Sequence, residues 1–298
     1  MIQLTDDQQE YVEQVFTRAR NLIEHGTWGE IDLGRLESWL GCFENYKASL
    51  LAAYLLDNLC YRSKSQFHAM LDVLFTDIRL SSNTLTSPKL IDVISEKNPK
   101  EVSIVLTPVL SPDAPPTKSG PYILRLAQRR YDIKNAWMAW PESINYSGAL
   151  EDVIFVDDFC GTGRQFEKFG KKIALTETYQ KHPDVRFWYF VTTIHIKGLT
   201  YLNEKFPFLK IRYAELLSEN NAALGKTSFD RYQIDGFEGM ILEQYDTVIS
   251  ASGLPKNKDF AEGFGELGLA YGFAHATPNN TLPIFWWDTP SWTPLLDR

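Results

Sequence analysis

The stretch VIFVDDFCGTGRQ, residues 153–165, joins four apolar residues to two acids and a Gly-Thr-Gly turn. A short apolar run that ends in polar turn residues is typical of a buried strand. The glycines that follow allow a tight turn into a helix. In an open α/β sheet, ligands bind outside the carboxyl ends of the strands. The stretch therefore predicts a central strand, a turn and a helix, with two carboxylates at the ligand-binding edge.

Apolar runs and helical patterns alternate on both sides of this unit. We predict further strands at residues 102–110, 136–140, 185–196, 209–213, 247–250 and 284–287. We predict helices at residues 122–130, 166–180 and 199–206. Strands that alternate with helices indicate an α/β fold with a mostly parallel, doubly wound, Rossmann-like sheet.

The first part of the chain has a different pattern. Thr5, followed by acids, is a typical helix start. Apolar residues then recur at helical spacing, and strand-like alternation is absent before Glu101. We therefore expect an N-terminal helical region, residues 1–98, followed by an α/β domain, residues 99–298.

Composition narrows the class of protein. The 298 residues carry a formal net charge of -8, which argues against direct nucleic-acid binding because phosphate neutralisation needs clustered Lys and Arg. The three cysteines, Cys42, Cys60 and Cys160, form no C-x-x-C pair, which argues against a disulfide framework and a structural zinc site. The start lacks a basic segment and a long apolar run, so we expect no signal peptide, no membrane span and a cytoplasmic location.

The glycine turn has the chemistry of a phosphate site. A helix N-terminus offers free N–H groups and a positive dipole end, which together suit an anion. Gly161 and Gly163 let the backbone approach that anion, and the Thr162 hydroxyl can donate to a phosphate oxygen. Asp157 and Asp158 can accept hydrogen bonds from ribose hydroxyls, directly or through Mg²⁺ and its waters.

This stretch resembles the phosphoribosyl-diphosphate-binding motif of type I phosphoribosyltransferases. The resemblance implies that Asp157 and Asp158 are the catalytic acid pair and hold the ribose hydroxyls. It implies that the following residues wrap the 5′-phosphate, with Mg²⁺ as a cofactor that the ligand brings and no metal held directly by the protein. These residues are Phe159, Cys160, Gly161, Thr162, Gly163, Arg164 and Gln165.

Two positions depart from that motif. Gln165 stands where the family loop usually ends in Thr or Ser, and Gly161 stands where some purine-salvage members place an acid. The acid–base group of those members is therefore missing from the loop. Two hypotheses stay open: an enzyme that transfers a phosphoribosyl group, or a catalytically inactive sensor that binds phosphoribosyl diphosphate or a nucleotide.

A second resemblance covers more of the chain. The segment AAYLLDNLCYRS at residues 52–63, the loop FVDDFCGTGRQ at 155–165 and GFGELGLAYGFAHATPNNTLPIFWW at 263–287 are similar to phosphoribosyltransferase-like proteins of bacterial conflict systems. This resemblance implies an antiphage defence effector of the kind found beside retron reverse transcriptases. Its implied protein partner is a reverse transcriptase or another defence component. A purely structural role, with the helical front as a docking surface, is a third hypothesis.

Other residues are weaker candidates. Lys118, Ser119 and Gly120 close a Pro-rich loop after the first predicted sheet strand, where the family binds diphosphate. Asn279 and Asn280 could read a base or brace the phosphate loop, but Pro-Asn-Asn is also good turn chemistry.

Two further side chains, Cys160 and His195, are of types that can act as a nucleophile or a base. Cys160 is a candidate nucleophile, because a helix N-terminus can lower the pKa of a thiol. His195 is a candidate base, although a lone His after an apolar run is more often a core residue. The alternative for the acid pair itself is a polar strand end without a ligand, or a phospho-acceptor site of the receiver type.

Overall fold

A computed structural model describes residues 5–76, 78, 88–110, 119–146, 148–232, 236–254 and 257–298. The chain divides into two compact units. We call His68–Leu217 the α/β unit, and Met1–Phe67 together with Ser218–Arg298 the helical unit.

The strands are β1 Cys60–Arg62, β2 Ile104–Pro108, β3 Asp152–Cys160, β4 Arg186–His195, β5 Lys210–Leu217 and β6 Tyr271–Phe273. The helices are α1 Asp6–Glu24, α2 Leu33–Gly41, α3 Tyr46–Asn58, α4 Lys64–Phe75, α5 Leu90–Ile94, α6 Ser119–Tyr131, α7 Arg164–Lys172, α8 Leu175–Lys181, α9 Ile196–Lys205, α10 Lys226–Phe229, α11 Phe237–Ala251 and α12 Lys258–Ala261.

The α/β unit is built on a four-stranded sheet in the order β2-β3-β4-β5, and every neighbouring pair is parallel. Both faces of the sheet are covered. Tyr189 of β4 packs on Phe166 of α7, with ring centroids 4.3 Å apart. The next residue, Phe190, faces the other way and packs on Phe75 of α4 at 5.6 Å. The predicted α/β fold with a parallel, doubly wound sheet and a helical front is confirmed.

Strand β3 lies at the centre of the unit because its side chains are apolar on both faces. Val153, Ile154, Phe155 and Val156 have no exposed surface. Continuous apolar runs of this kind are typical of parallel strands that are covered on both sides. The central position of β3 brings its carboxyl end, where the two acids lie, between the ends of β2 and β4.

The helical unit joins the N-terminal helices to the C-terminal segment. The indole N–H groups of Trp39 and Trp292 both donate to the carbonyl of Ile284, at 2.9 and 3.0 Å. Tyr54 stacks on Phe229 with ring centroids 5.1 Å apart. The division between these two units does not fall at the boundary expected near residue 98. The reason is that residues after 217 complete the core of the N-terminal helices.

Some predicted strands are wrong. Residues 247–250 lie inside helix α11, because this β-branched segment belongs to a longer helical pattern. Residues 284–287 overlap a 3₁₀ turn at Pro283–Phe285, and residues 136–140 overlap another at Asn135–Trp137. In the second segment only Met138 pairs with the sheet, through an isolated parallel bridge to Leu106 of β2. Strand β1, which pairs in parallel with β6, was missed because three residues carry no detectable alternation.

Other differences concern helix ends. The helix predicted at residues 166–180 is two helices, α7 and α8, separated at Ile173 and Ala174, and Ala174 has a positive φ of 49°.

Within the residues that the structure describes, no helix is long and apolar enough to cross a bilayer.

Candidate functional site

The predicted phosphate loop is the turn between β3 and α7. Strand β3 ends at Cys160, and α7 begins at Arg164 after an N-cap at Gly163. Gly163 has a φ of 78°, and an added Cβ would lie 3.0 Å from the Tyr201 ring. Backbone conformation and space both require glycine at this position. The first turn of α7 therefore opens at the carboxyl edge of the sheet, as the sequence predicts.

The loop is pressed against helix α9. An added Cβ on Gly198 would lie 2.5 Å from the carbonyl oxygen of Gly161 and 3.1 Å from Cys160 Sγ. His195, at the end of β4, caps α9 by accepting a 3.1 Å hydrogen bond from the Lys197 N–H on Nδ1. Only glycine at position 198 permits α9 to approach the loop this closely, so the backbone positions of Gly161 and Gly198 are coupled.

Asp157 is buried beneath this loop. The Tyr189 hydroxyl donates to Asp157 Oδ2 at 3.1 Å, and the Asp158 N–H donates to Asp157 Oδ1 at 3.1 Å. Burial raises the pKa of Asp157 well above its ordinary value of 3.8, and the charge of Asp158 raises it further. Both causes disfavour the charged form of this carboxyl.

Asp158 has different surroundings. Its Oδ1 accepts hydrogen bonds from the Ser119 hydroxyl and from the Phe159 N–H, each at 2.9 Å. The Thr192 hydroxyl donates to the Asp158 carbonyl oxygen. Three neighbouring segments therefore fix Asp158: the start of α6, the strand itself and β4.

Helix α6 brings its N-terminus to the same edge. Ser119 is its first residue, and an added Cβ on Gly120 would lie 3.1 Å from the Val109 carbonyl oxygen. The candidate accessory residues Ser119 and Gly120 thus lie beside the acid pair, while Lys118 lies outside the described residues. The N-termini of α6 and α7 both direct a positive dipole end toward this edge.

Cys160 is buried, and burial raises the pKa of its thiol to about 12. A protonated thiol is a poor nucleophile, so the structure gives no support to a nucleophilic Cys160. His195 is also buried and serves as the cap of α9, which matches the core interpretation.

Asn279 and Asn280 belong to the helical unit. The Asn280 side-chain amide donates to the Phe264 carbonyl at 2.6 Å, and the Asn279 carbonyl accepts from the Phe264 N–H at 2.8 Å. These contacts hold a glycine-rich turn at residues 263–268. They are the contacts that the turn interpretation of the two asparagines predicts.

Three residues of the site carry no signal in the sequence that identifies them in advance. Tyr189 and Thr192 lie in the apolar run RFWYFVTTIH, and Gly198 follows it. Tyr189 contacts Asp157, Thr192 contacts the Asp158 backbone, and Gly198 contacts the loop. Their roles depend on strand pairing, which places residues of β4 beside β3.

Comparisons with known proteins identify the family to which the chain belongs. No curated protein matches the chain. Solved structures that are similar to the chain include the following three, all at low sequence identity. The AQ2163 protein from Aquifex aeolicus has 16% identity and a TM-score of 0.31, and covers 73% of this chain and 87% of its own.

The xanthine-guanine-hypoxanthine phosphoribosyltransferase of Helicobacter pylori has 12% identity and a TM-score of 0.28, and covers 53% of this chain and 87% of its own. The orotate phosphoribosyltransferase of Aeropyrum pernix has 14% identity and a TM-score of 0.29, with 56% and 76% covered. The PRTase-CE family model matches residues 36–298, which include the whole corner between β3 and α7. The chain therefore belongs to the PRTase-CE family, whose name carries the abbreviation of phosphoribosyltransferase.

Proposed function

We propose that the protein binds phosphoribosyl diphosphate or a nucleotide at the corner between β3 and α7. The 5′-phosphate would lie on residues 161–165 and the ribose against Asp158. One observation carries the proposal most strongly: a glycine-dependent turn at a helix start lies beside a carboxylate that Ser119 holds in place. The family membership agrees with this ligand class.

The phosphate part rests on the first turn of α7. The first N–H groups of a helix have no partners within the helix, and they point toward its N-terminal end. Thr162 is partly exposed, and Arg164 and Gln165 are exposed at this end of the helix. A phosphate there would receive amide and hydroxyl hydrogen bonds and would neutralise the positive end of the helix dipole.

The ribose part is assigned to Asp158 rather than to both acids. A ribose diol donates hydrogen bonds, and a charged carboxylate accepts them more strongly than a neutral carboxyl. Asp157 is buried and already accepts hydrogen bonds from the Tyr189 hydroxyl and the Asp158 N–H, so it fits a supporting role beneath the loop. This revises the paired ribose role that the motif resemblance implies for Asp157.

Magnesium fits this site only as a companion of the ligand. Both carboxyl oxygens of buried Asp157 already accept hydrogen bonds, and the described residues contain no group of three His, Cys, Asp or Glu side chains that could hold a metal ion. Mg²⁺ held by the diphosphate oxygens would reduce the charge of the leaving group.

In the transferase form of the proposal, the bond between C1 of the ribose and diphosphate breaks. A nucleophile or water then forms the new bond at C1. The chain's contribution is to position the sugar: the loop holds the phosphate at one end, and Asp158 holds the hydroxyls beside C1. Fixing both ends of a small substrate lowers the entropic part of the barrier.

Titration with phosphoribosyl diphosphate and Mg²⁺, followed by calorimetry, tests binding. Asp158→Asn should weaken binding at least tenfold, because charge-assisted hydrogen bonds to the ribose are lost. Asp184→Asn is the matched control, since Asp184 is exposed and lies before the amino end of β4. Absence of saturable binding to the wild-type chain would remove the proposal.

A nucleotide sensor without turnover is the second candidate function. It is favoured by Gly161 and Gln165, which replace the acid and the hydroxyl residue of the family loop. Diphosphate release, followed by ³¹P nuclear magnetic resonance across a panel of bases and water, separates the two candidates. Binding without release identifies the sensor.

The proposal extends to a role in antiphage defence with a reverse transcriptase or another defence component as partner. Its support is the similarity of residues 52–63, 155–165 and 263–287 to proteins of bacterial conflict systems. Phage plaque counts on cells that carry the complete gene cluster, with the wild-type chain or with Asp158→Asn, test this role. Equal counts with the wild-type cluster and with no cluster would exclude it.

A further inference from the structure

Three buried side chains lie directly beneath the phosphate loop. Asp157, Tyr189 and Cys160 expose 2%, 1% and 5% of their surface. The Tyr189 hydroxyl donates to Asp157 Oδ2 at 3.1 Å. The Tyr189 hydroxyl and the Gly163 N–H lie near the sulphur of Cys160, because both lower the pKa of its thiol against the larger, raising effect of burial. Polar groups therefore follow one another from the end of β3 to the backbone of the loop.

The opposite side of the loop is equally restricted. Helix α9 approaches so closely that a Cβ on Gly198 would lie 2.5 Å from the Gly161 carbonyl oxygen and 3.1 Å from Cys160 Sγ. An added Cβ on Gly163 would meet Leu202 of the same helix at 3.1 Å. The loop backbone and the Cys160 thiol are thus both packed against α9, and the shape of the loop depends on this contact.

We propose that Tyr189, Asp157 and Cys160 are positioning residues that hold residues 161–163 in the shape that binds phosphate. The inference rests on the proposed function, because it assigns a role to groups beneath the same site. It also gives Asp157 a task that needs no contact with the ligand.

The polar character of these groups supports positioning rather than simple filling of the core. Phe155, Phe166 and Phe187 fill the same core with apolar rings. At the position of Tyr189, the hydroxyl reaches Asp157, and a phenylalanine ring would have filled the space without it. A buried hydroxyl and carboxyl that satisfy each other fix one geometry, because alternative arrangements leave a polar group unpaired.

The raised pKa of Asp157 agrees with this role. Burial, followed by the charge of Asp158, raises the pKa of Asp157 and so disfavours a negative charge at this position. The raised pKa of Cys160, also caused by burial, keeps the thiol protonated beside it. Neutral groups at these positions leave the positive potential of the α7 N-terminus available to the ligand phosphate.

Tyr189→Phe tests the inference because it removes one hydroxyl and leaves the ring. Tyr131→Phe is the matched control: Tyr131 is also buried in the α/β unit and donates to a carboxylate, Asp72 Oδ1, at 2.8 Å. Two quantities are measured for each variant, hydrogen–deuterium exchange of a peptide that covers residues 159–166 without ligand, and the Kd for ribose 5-phosphate.

We expect Tyr189→Phe to speed exchange of the loop peptide and to raise the Kd about fivefold to tenfold, as the loss of one buried hydrogen bond would do. Tyr131→Phe should change neither quantity, even where its loss of thermal stability is similar. Asp157→Asn retains an oxygen acceptor for Tyr189 and should restore most of the affinity that Asp157→Ala loses.

Unchanged loop exchange and unchanged Kd in Tyr189→Phe would overturn the inference. If Tyr189→Phe fails to fold, Cys160→Ala provides the same test, because it removes the sulphur that the Gly163 N–H contacts. If the wild-type chain binds no sugar phosphate while loop exchange still depends on Tyr189, the proposed function fails and the positioning role stands. Normal binding that is insensitive to all these variants removes the positioning role alone.

Discussion

The chain contains two glycine-rich turns that look alike in sequence and differ in their surroundings. In the α/β unit, Gly163 has a φ of 78°, and its turn opens a helix beside Asp158. In the helical unit, Gly263 has a φ of 74°, and an added Cβ there would lie 2.3 Å from the Asn280 carbonyl oxygen. The first turn presents a helix start, whereas the second is packed against backbone.

This difference shows what a glycine pattern can establish. Positive φ and close backbone approach are common to both turns, so they identify only where a side chain is excluded. A candidate anion site needs in addition a helix start and a strand end that carries polar groups. Only the turn at residues 161–163 has this combination among the segments compared.

Gly263→Ala should have the largest effect on stability. It combines a strained positive φ with a backbone clash, so we expect a loss of about 3–5 kcal/mol in the free energy of unfolding. Urea unfolding measures this loss. Gly253→Ala is the control, because Gly253 has a φ of 67° with no atom within 4 Å of an added Cβ. Equal losses in both variants would mean that the packing against Asn280 is unimportant.

Gly198→Ala should have the largest effect on the phosphate loop. The new methyl group would force Gly161 to move, because the contacted atom is a backbone oxygen at 2.5 Å. We expect at least a tenfold rise in the Kd for ribose 5-phosphate. Gly239→Ala in helix α11 meets open space and should instead stabilise the chain by about 1 kcal/mol. Unaltered affinity in Gly198→Ala would show that the loop tolerates displacement.

The two acids should respond differently to the same substitution. Asp158→Asn removes a charge that accepts ribose hydrogen bonds, and we expect a tenfold to hundredfold rise in Kd, corresponding to about 1.5–3 kcal/mol. Asp157→Asn keeps an oxygen acceptor for Tyr189 at a position where burial disfavours charge, and its affinity should stay within about threefold of wild type. Calorimetry at neutral pH measures both values, and a larger loss for Asp157→Asn would reverse the assignment of roles.

The pH dependence of stability should report Asp157. Its pKa in the folded chain is raised above 3.8, so the folded state binds more protons than the unfolded state over the range between the two pKa values. Its contribution to stability is therefore fully present below pH 3.8 and is lost as the pH rises through the folded pKa. Asp157→Asn should reduce this loss of stability with rising pH. Unfolding curves recorded from pH 4 to 8 measure the loss in both proteins. An identical slope in both proteins would contradict a neutral Asp157.

The smallest expected effect concerns thiol reactivity. Cys42 and Cys60 are partly exposed, whereas Cys160 is buried with a pKa raised to about 12. Brief iodoacetamide treatment at pH 8 should label the first two and leave Cys160 unmodified until denaturant is added. Mass spectrometry of peptides measures the labelling. Rapid labelling of Cys160 in the native chain would mean that the loop opens readily.

Prediction from the sequence succeeded where the pattern was local and long. The apolar run before Asp157 predicted β3, and the following glycines predicted the turn into α7. Prediction failed at residues 247–250, because a short β-branched run has the same composition in a strand and in a helix such as α11. The placement of Ser119 beside Asp158 was only a weak candidate, since their side chains are separated by 39 positions.

The sequence by itself determined the parallel α/β architecture and the position of the strand–turn–helix corner, because hydrophobic period and glycine placement act over neighbouring residues. Only the tertiary structure decided that Asp157 is buried and bonded to Tyr189, that Asp158 is held by Ser119, and that the C-terminal segment completes the helical unit. These properties depend on burial and on contacts between residues far apart in the chain. Two adjacent acids are identical in residue type, and their hydrogen-bond partners differ because their surroundings differ.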